Sequence, residues 1–127
     1  IVITSAFRTP IGSLLGSLAD HPATQLGTEV IKKCIQDSKL KSNEVDMVYM
    51  CQVLQTGSGQ NPARQAAMHA GIDTSKTSTT INQVCGSGLA AVALGFNSLK
   101  LEDAKVVIAG GQESMSNSPH YQNLRKG

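Results

Sequence analysis

Three observations predict an α/β protein built on a parallel-rich sheet in βαβαβαβ order. Short β-branched or apolar runs alternate with segments of helical period along the chain. One run, Met47 to Leu54, is apolar almost without a break, as in a strand covered on both faces. One helical segment, Gly88 to Leu99, is apolar on nearly every side, which predicts a buried helix.

In chain order, Ile1-Val2-Ile3-Thr4 is β-branched and predicts the first strand. Pro10, Gly12 and Gly16 then mark a loop. Asp20 and Pro22 predict a helix start, with Asp as cap and Pro in the first turn. Leu26, Val30, Ile31, Cys34 and Ile35 fall on one face of that helix. After polar Lys39 to Asp46, the run from Met47 gives the second strand. A glycine-rich loop, Thr56 to Gln60, leads to a second helix with Asn61 as cap and Pro62 at its first position, ending near Gly71. Thr77 to Val84 predicts the third strand, Gly88 to Leu99 the third helix, and Lys105 to Ala109 a fourth strand stopped by Gly110-Gly111. Gln112 to Gly127 has no clear period, and there is no internal repeat. A helix apolar all round needs more cover than this sequence supplies, so the unit reads as incomplete.

The chain has 127 residues, one domain's worth, with 40% hydrophobic and 16% charged residues, which excludes a disordered protein. Only four aromatics occur (Phe7, Tyr49, Phe96, Tyr121), and the net charge is +2. Both argue against a nucleic-acid partner. The longest apolar runs, such as Leu89 to Leu94, are far too short to cross a bilayer, so no membrane partner is expected. Cys34, Cys51 and Cys85 form no Cys-x-x-Cys pair and no familiar zinc spacing, so no metal is expected. Their number suits a reduced compartment, the cytoplasm; the chain begins without Met, which leaves a mitochondrial or other organellar location open.

Ligands of parallel α/β sheets collect at the carboxyl ends of strands. Cys85 stands there, in Asn82-Gln83-Val84-Cys85-Gly86-Ser87-Gly88, where the third strand passes into the apolar helix. The N-terminus of a helix favours a thiolate, and Gly86 and Gly88 let a substrate approach the backbone, whose N–H groups can cradle an oxyanion. The helix terminus is not sufficient. A thiol of pKa near 8.5 is about 3% ionised at neutral pH, and a helix terminus contributes about 0.3–1 kcal/mol, less than one pKa unit. A base is needed. The three histidines do not offer one: His21 lies in the loop before the first helix, His69 on the second helix among alanines, and His120 in the tail. From these residues alone, Cys85 reads either as a nucleophile with its base elsewhere or as an inert buried thiol. Cys34 and Cys51 read as packing residues. Gly86-x-Gly88-x-x-Ala91 also fits a relaxed dinucleotide fingerprint, but no acidic residue ends the following strand, and Gly57-Ser58-Gly59 lacks the ending of a P-loop.

Four segments together resemble a known family. Asn82 to Leu89 resembles the acyl-enzyme cysteine segment of the thiolases, particularly the biosynthetic acetyl-CoA acetyltransferases. Arg8-Thr9-Pro10-Ile11-Gly12 is similar to their loop after the first strand. Gly59-Gln60-Asn61-Pro62-Ala63-Arg64-Gln65-Ala66 is similar to the start of their second helix, and Gly110-Gly111-Gln112-Glu113-Ser114-Met115-Ser116 to the exit of their fourth strand. The four stand in the family's order and spacing and cover essentially the whole chain.

The resemblance implies the first half of a duplicated fold: residues 1–111 as the N-terminal thiolase-like half, residues 112–127 as the start of an inserted loop domain, and a C-terminal half beyond. It implies that Cys85 is the nucleophile and carries an acyl group, with Gly86 and Gly88 at the oxyanion and substrate approach. Two acetyl-CoA would condense reversibly to acetoacetyl-CoA and CoA, with coenzyme A as substrate and product and no permanently bound cofactor. In the family, the second half supplies an activating His and a second Cys, and the loop domain most CoA contacts, so this stretch alone is expected to be inactive. Relatives are homodimers or homotetramers. Ala90 stands where relatives commonly have a basic or polar residue, and Gln112 where Met is usual. The rivals are another condensing enzyme, such as a ketoacyl synthase, and a thiolase-like protein that binds acyl-CoA or lipid without turnover.

Overall fold

A run of apolar residues bounded by polar ones becomes the central strand of the protein. In the computed structural model, which describes residues 1–125, β1 (Met47–Cys51) pairs in parallel with β2 (Thr77–Ile81) on one side and β3 (Val107–Gly111) on the other. Met47 lies opposite Thr77 and Val107, and Cys51 opposite Ile81 and Gly111. The two-residue period of a strand sends Val48 and Met50 to one face, where both are fully buried. Met47, Tyr49 and Cys51 are half-buried on the other.

Helices cover both faces. On the Val48 face lie α1 (Ala23–Asp37) and α2 (Pro62–His69), and the core there joins Ile31, Val45, Val48, Met50, Ala63, Ala66, Ala67 and Ile72. The helices approach closely because the contact residues are small; Thr28 Oγ1 donates to Thr24 O (2.7 Å) and Ala66 O (3.3 Å), so its hydroxyl is satisfied in the seam. On the Tyr49 face lies α3 (Ser87–Lys100), with Tyr49 Oη and Ser98 Oγ 3.0 Å apart. A Cβ at Gly95 would stand 3.1 Å from Val107, so glycine there sets how closely α3 approaches β3.

The parallel α/β architecture agrees with the sequence; several elements differ. Ile1–Thr4 is not a strand: Ile1, Val2 and Ile3 are 63%, 79% and 82% exposed, and no strand pairs with them among the described residues. β-branched side chains favour extended backbone, but only a ladder of bonds to a neighbour makes a strand. Asp20 does not cap α1. Pro22, extended and lacking an N–H, occupies the cap position, and its side chain makes no capping bond to the helix end. The deepest face of α1 is Ala23, Gly27, Thr28 and Ile31, while Leu26, Val30, Cys34 and Ile35 are half-buried.

Helix α3 is not buried all round. Its covered stripe is Ser87, Ala91, Gly95 and Ser98, whereas Leu89 is 78% exposed and Phe96 48%. Glycine does not stop β3, which runs through Gly110 and Gly111; a side chain at Gly111 would collide with the Cys51 sulfur. β1 ends at Cys51 and β2 at Ile81, each three residues earlier than expected, because the side chains of Gln52 and Asn82 turn to bond the adjoining loops. Beyond β3, Ser114 and Asn117 bond to the carbonyls of Ala19 and His21 and so tie this segment to the loop before α1. The last two residues of the expected loop-domain segment, Lys126 and Gly127, lie outside the described residues. Among those described, no helix is long and apolar enough to cross a membrane.

Candidate active site

The connection from β2 to α3 is a tight turn, Asn82 to Gly86, held by its own side chains. Asn82 Oδ1 accepts from the Val84 N–H (3.1 Å), Ser87 Oγ accepts from the Gln83 N–H (2.7 Å), and the same hydroxyl donates to Val84 O (2.6 Å). Between these anchors Val84 adopts φ +52°, a left-handed conformation that costs an L-residue about 1–2 kcal/mol. A β-branched residue there persists only because its neighbours fix it. Cys85 follows directly, exposed, with Gly86 capping α3 and Ser87 its first residue. A nucleophile on a constrained strand-to-helix turn is what this geometry can present.

The two neighbouring glycines differ in role. Neither has the positive φ that would demand glycine. A Cβ at Gly86 would make ordinary contact with Gln83 O at 3.4 Å, and one at Gly88 would meet nothing within 4 Å. Folding of the described residues therefore does not require glycine at Gly88, and its missing side chain leaves open space beside Cys85. The Gly86 N–H is already donated to Gln83 O (3.1 Å), whereas the Gly88 N–H has no acceptor among the described residues. Of the two, the Gly88 amide is the one free to receive an oxyanion.

Among the described residues no side-chain base bonds to Cys85. His21 Nδ1 lies 3.2 Å from Gln25 Oε1, and His69 and His120 are exposed on other elements. None bonds to the thiol. Cys51 is a poor nucleophile, since burial pushes its thiol up and the Glu113 charge adds to the effect. Among the described residues no three His, Cys, Asp or Glu side chains converge as a metal site would need. Gly57 and Gly59, at φ +79° and +77°, shape a loop pinned by Gln52 Nε2 to Ser58 Oγ (2.7 Å) and Gln65 Nε2 to Ser58 O (2.7 Å), which accounts for that glycine pattern without a phosphate.

A groove of about 1030 Å³ opens beside the turn, between residues 1–9, α1 and α3. Leu26 and Ile31 line one wall and Gly88, Val92 and Phe96 the other, so it begins three residues from Cys85 without including it. Sequence reasoning missed Asn82 and Ser87 as the residues that shape the turn. Short polar side chains three residues before and two residues after a candidate nucleophile were the available signal. It also missed Glu113, whose Oε2 and Oε1 accept from the N–H groups of Val53 (2.8 Å) and Leu54 (3.2 Å) across the end of the sheet. No local pattern announces a bond over 60 residues.

Residues 1–127 match the family model described as "Thiolase, N-terminal domain". The acetyl-CoA acetyltransferase of Rhizobium meliloti (strain 1021) is 51% identical over 127 residues, which is 100% of this chain and 32% of that protein. The acetyl-CoA acetyltransferase of Cupriavidus necator is 52% identical over 120 residues, 94% of this chain and 30% of its own. A mitochondrial acetyl-CoA acetyltransferase of Mus musculus is 50% identical over 123 residues, 97% and 29% of the two chains. The chain thus spans about a third of the length of the curated relatives it matches.

Proposed function

The chain belongs to the thiolase family, and from that premise we propose that the protein of which it forms part is an acetyl-CoA C-acetyltransferase acting through Cys85. The observation that carries this reading is the exposed Cys85 on a constrained turn at the start of α3, with open space at Gly88. In the proposed reaction the Cys85 thiolate attacks the thioester carbonyl of acetyl-CoA. The tetrahedral oxyanion forms beside the Gly88 N–H and collapses, the C–S bond to CoA breaks, and CoA leaves as its thiol after taking a proton. A base then removes a methyl proton from a second acetyl-CoA, and the carbanion attacks the acetyl group on Cys85. Acetoacetyl-CoA departs and the Cys85 thiolate returns. The thioester suits this sequence because its carbonyl is electrophilic and its thiol a good leaving group.

Two carbonyl activations and two proton transfers need more than one thiol. In this reading the activating His and the second, acid–base Cys belong to a C-terminal half, and most CoA contacts to an inserted loop domain beginning near residue 112, as the family resemblance implies. Coenzyme A serves as substrate and product, and the assembled protein is a homodimer or homotetramer.

The test uses the full-length natural protein. It is mixed with acetoacetyl-CoA, quenched in acid and digested, and the Cys85 peptide is weighed by mass spectrometry, with Cys85→Ala alongside. An acetyl adduct on the parent and none on the variant is expected. A folded protein that binds CoA and forms no adduct would instead be a thiolase-shaped acyl-CoA-binding protein.

A further inference from the structure

We propose that Glu113 and Asn82 form a single positioning relay for Cys85, an inference that rests on acyl transfer through that thiol. Glu113 sits just beyond β3, where the Gln112 N–H donates to Cys51 O (2.9 Å) and anchors the backbone to β1. Its two carboxylate oxygens take two consecutive N–H groups, Val53 (2.8 Å) and Leu54 (3.2 Å), and so fix the peptide that leaves β1. The Val53 carbonyl, held in place by that clamp, accepts from Asn82 Nδ2 (3.1 Å). Because the donor end of the Asn82 carboxamide is committed to Val53 O, its acceptor end must face the Val84 N–H (3.1 Å). Val84 is the left-handed residue on which the direction of Cys85 depends. The chain of contacts therefore runs from the end of β3, through the exit of β1, to the turn after β2.

Without the Glu113 carboxylate, the Val53–Leu54 peptide is free to rotate and Asn82 loses the acceptor that orients it. Val84 can then relax toward extended backbone, its preferred region, and carry Cys85 with it. Misplacing a reacting group by about 1 Å can cost on the order of 100-fold in rate, so a shift of half that is expected to cost about tenfold. The two residues touch no part of the thiol, so they act as positioning residues. If they work in series, removing either breaks the same relay.

The experiment uses the full-length protein with Glu113→Gln, Asn82→Ala, the double variant, and Asp46→Asn as a destabilised control at the opposite end of the sheet. Three quantities are read: the single-turnover rate of Cys85 acetylation by acetyl-CoA, its half-saturating concentration, and the rate of Cys85 alkylation by iodoacetamide. Each single change is expected to lower the acetylation rate about tenfold and slow alkylation, with half-saturation unmoved. The double variant is expected to be no slower than the slower single. Asp46→Asn, losing a comparable thermal midpoint, keeps both rates. Effects that multiply in the double variant, unchanged rates, or a control that reproduces the loss would overturn the relay. Should Glu113→Gln not fold, Asn82→Asp decides: it keeps the acceptor for Val84 but turns an oxygen toward Val53 O, and unchanged rates there refute the relay. A parent protein that takes no acetyl group refutes the enzymatic reading instead, and the alkylation arm, which requires no acyl transfer, still decides the relay.

Discussion

At the residue scale, Asp46 shows how one side chain closes the end of the sheet opposite Cys85. Its Oδ2 accepts from the N–H groups of Lys105 (2.8 Å) and Val106 (3.1 Å), and its Oδ1 lies 3.2 Å from Lys76 Nζ. The two backbone donors, with Lys76 behind them, hold its carboxyl below the ordinary range. Asp46→Ala in the full-length protein is expected to cost about 1–2 kcal/mol, at the low end because water reaches a side chain 31% exposed. A group depressed on folding contributes fully above its unfolded value, about 4, and loses that contribution as pH falls through the lower folded value. The gap in urea midpoint between parent and variant is therefore constant from pH 5 to 7 and narrows below about pH 4; a gap that widens on acidification would refute the latch. Asn61, by contrast, was legible in the sequence as a cap. The structure adds that its Oδ1 accepts from both the Arg64 N–H (3.1 Å) and Thr80 Oγ1 (2.8 Å), while its Nδ2 donates to Ser78 O (3.0 Å), so one side chain starts α2 and braces β2.

At the scale of the elements, α1 meets the sheet through an interlock that only tertiary contact explains. The Gln112 Nε2 donates to Gln52 Oε1 (3.1 Å) and Pro62 O (3.2 Å), which fixes its carboxamide, and its oxygen rests against Gly27 with no hydrogen-bond partner among the described residues. A Cβ on Gly27 would run into that oxygen and stand 3.2 Å from the Met50 methyl. Gly27→Ala gains about 1 kcal/mol of helix propensity and loses about 1–3 kcal/mol to overpacking. A net loss of stability is expected by chemical denaturation, where an exposed helix position would gain; a stabilised Gly27→Ala would show that Gln112 is free to move. The same interlock accounts for a buried amide at Gln112, since the side chain carries two hydrogen bonds. Helix α3 was legible as a helix and as apolar, yet its contact with the sheet runs through Ser87, Ala91, Gly95 and Ser98. Close approach selects small residues, and hydrophobicity alone points to the wrong side of such a helix.

For the molecule as a whole, the outward side chains of α3, with Leu89 78% and Phe96 48% exposed, and the exposed Ile1-Val2-Ile3 leave much apolar surface in water. The 127-residue chain expressed alone is expected to associate with rising concentration in sedimentation and to bind a hydrophobic dye. Leu89→Lys combined with Phe96→Lys should reduce both; a monomer that ignores the dye would refute this. The same chain is expected to show no acetyl transfer above a Cys85→Ala control, because no base bonds to Cys85 among the described residues and a helix terminus contributes only about 0.3–1 kcal/mol. Measurable turnover by the isolated chain would place the base among these residues.

The sequence by itself determined the parallel α/β class, the second helix with its cap, and Cys85 at the passage from strand to helix. These follow from local causes: periodicity, capping chemistry, and the way backbone direction changes at glycine. Tertiary structure alone decided that Ile1–Thr4 stays unpaired, that α3 packs by its small residues, and that Glu113 and Asn82 meet at the Val53 carbonyl. Each depends on which neighbour a group finds at a distance along the chain, 29 residues for Asn82 and 60 for Glu113. A strand, a buried face and a hydrogen bond are properties of pairs, and a pair is settled only when the chain has folded.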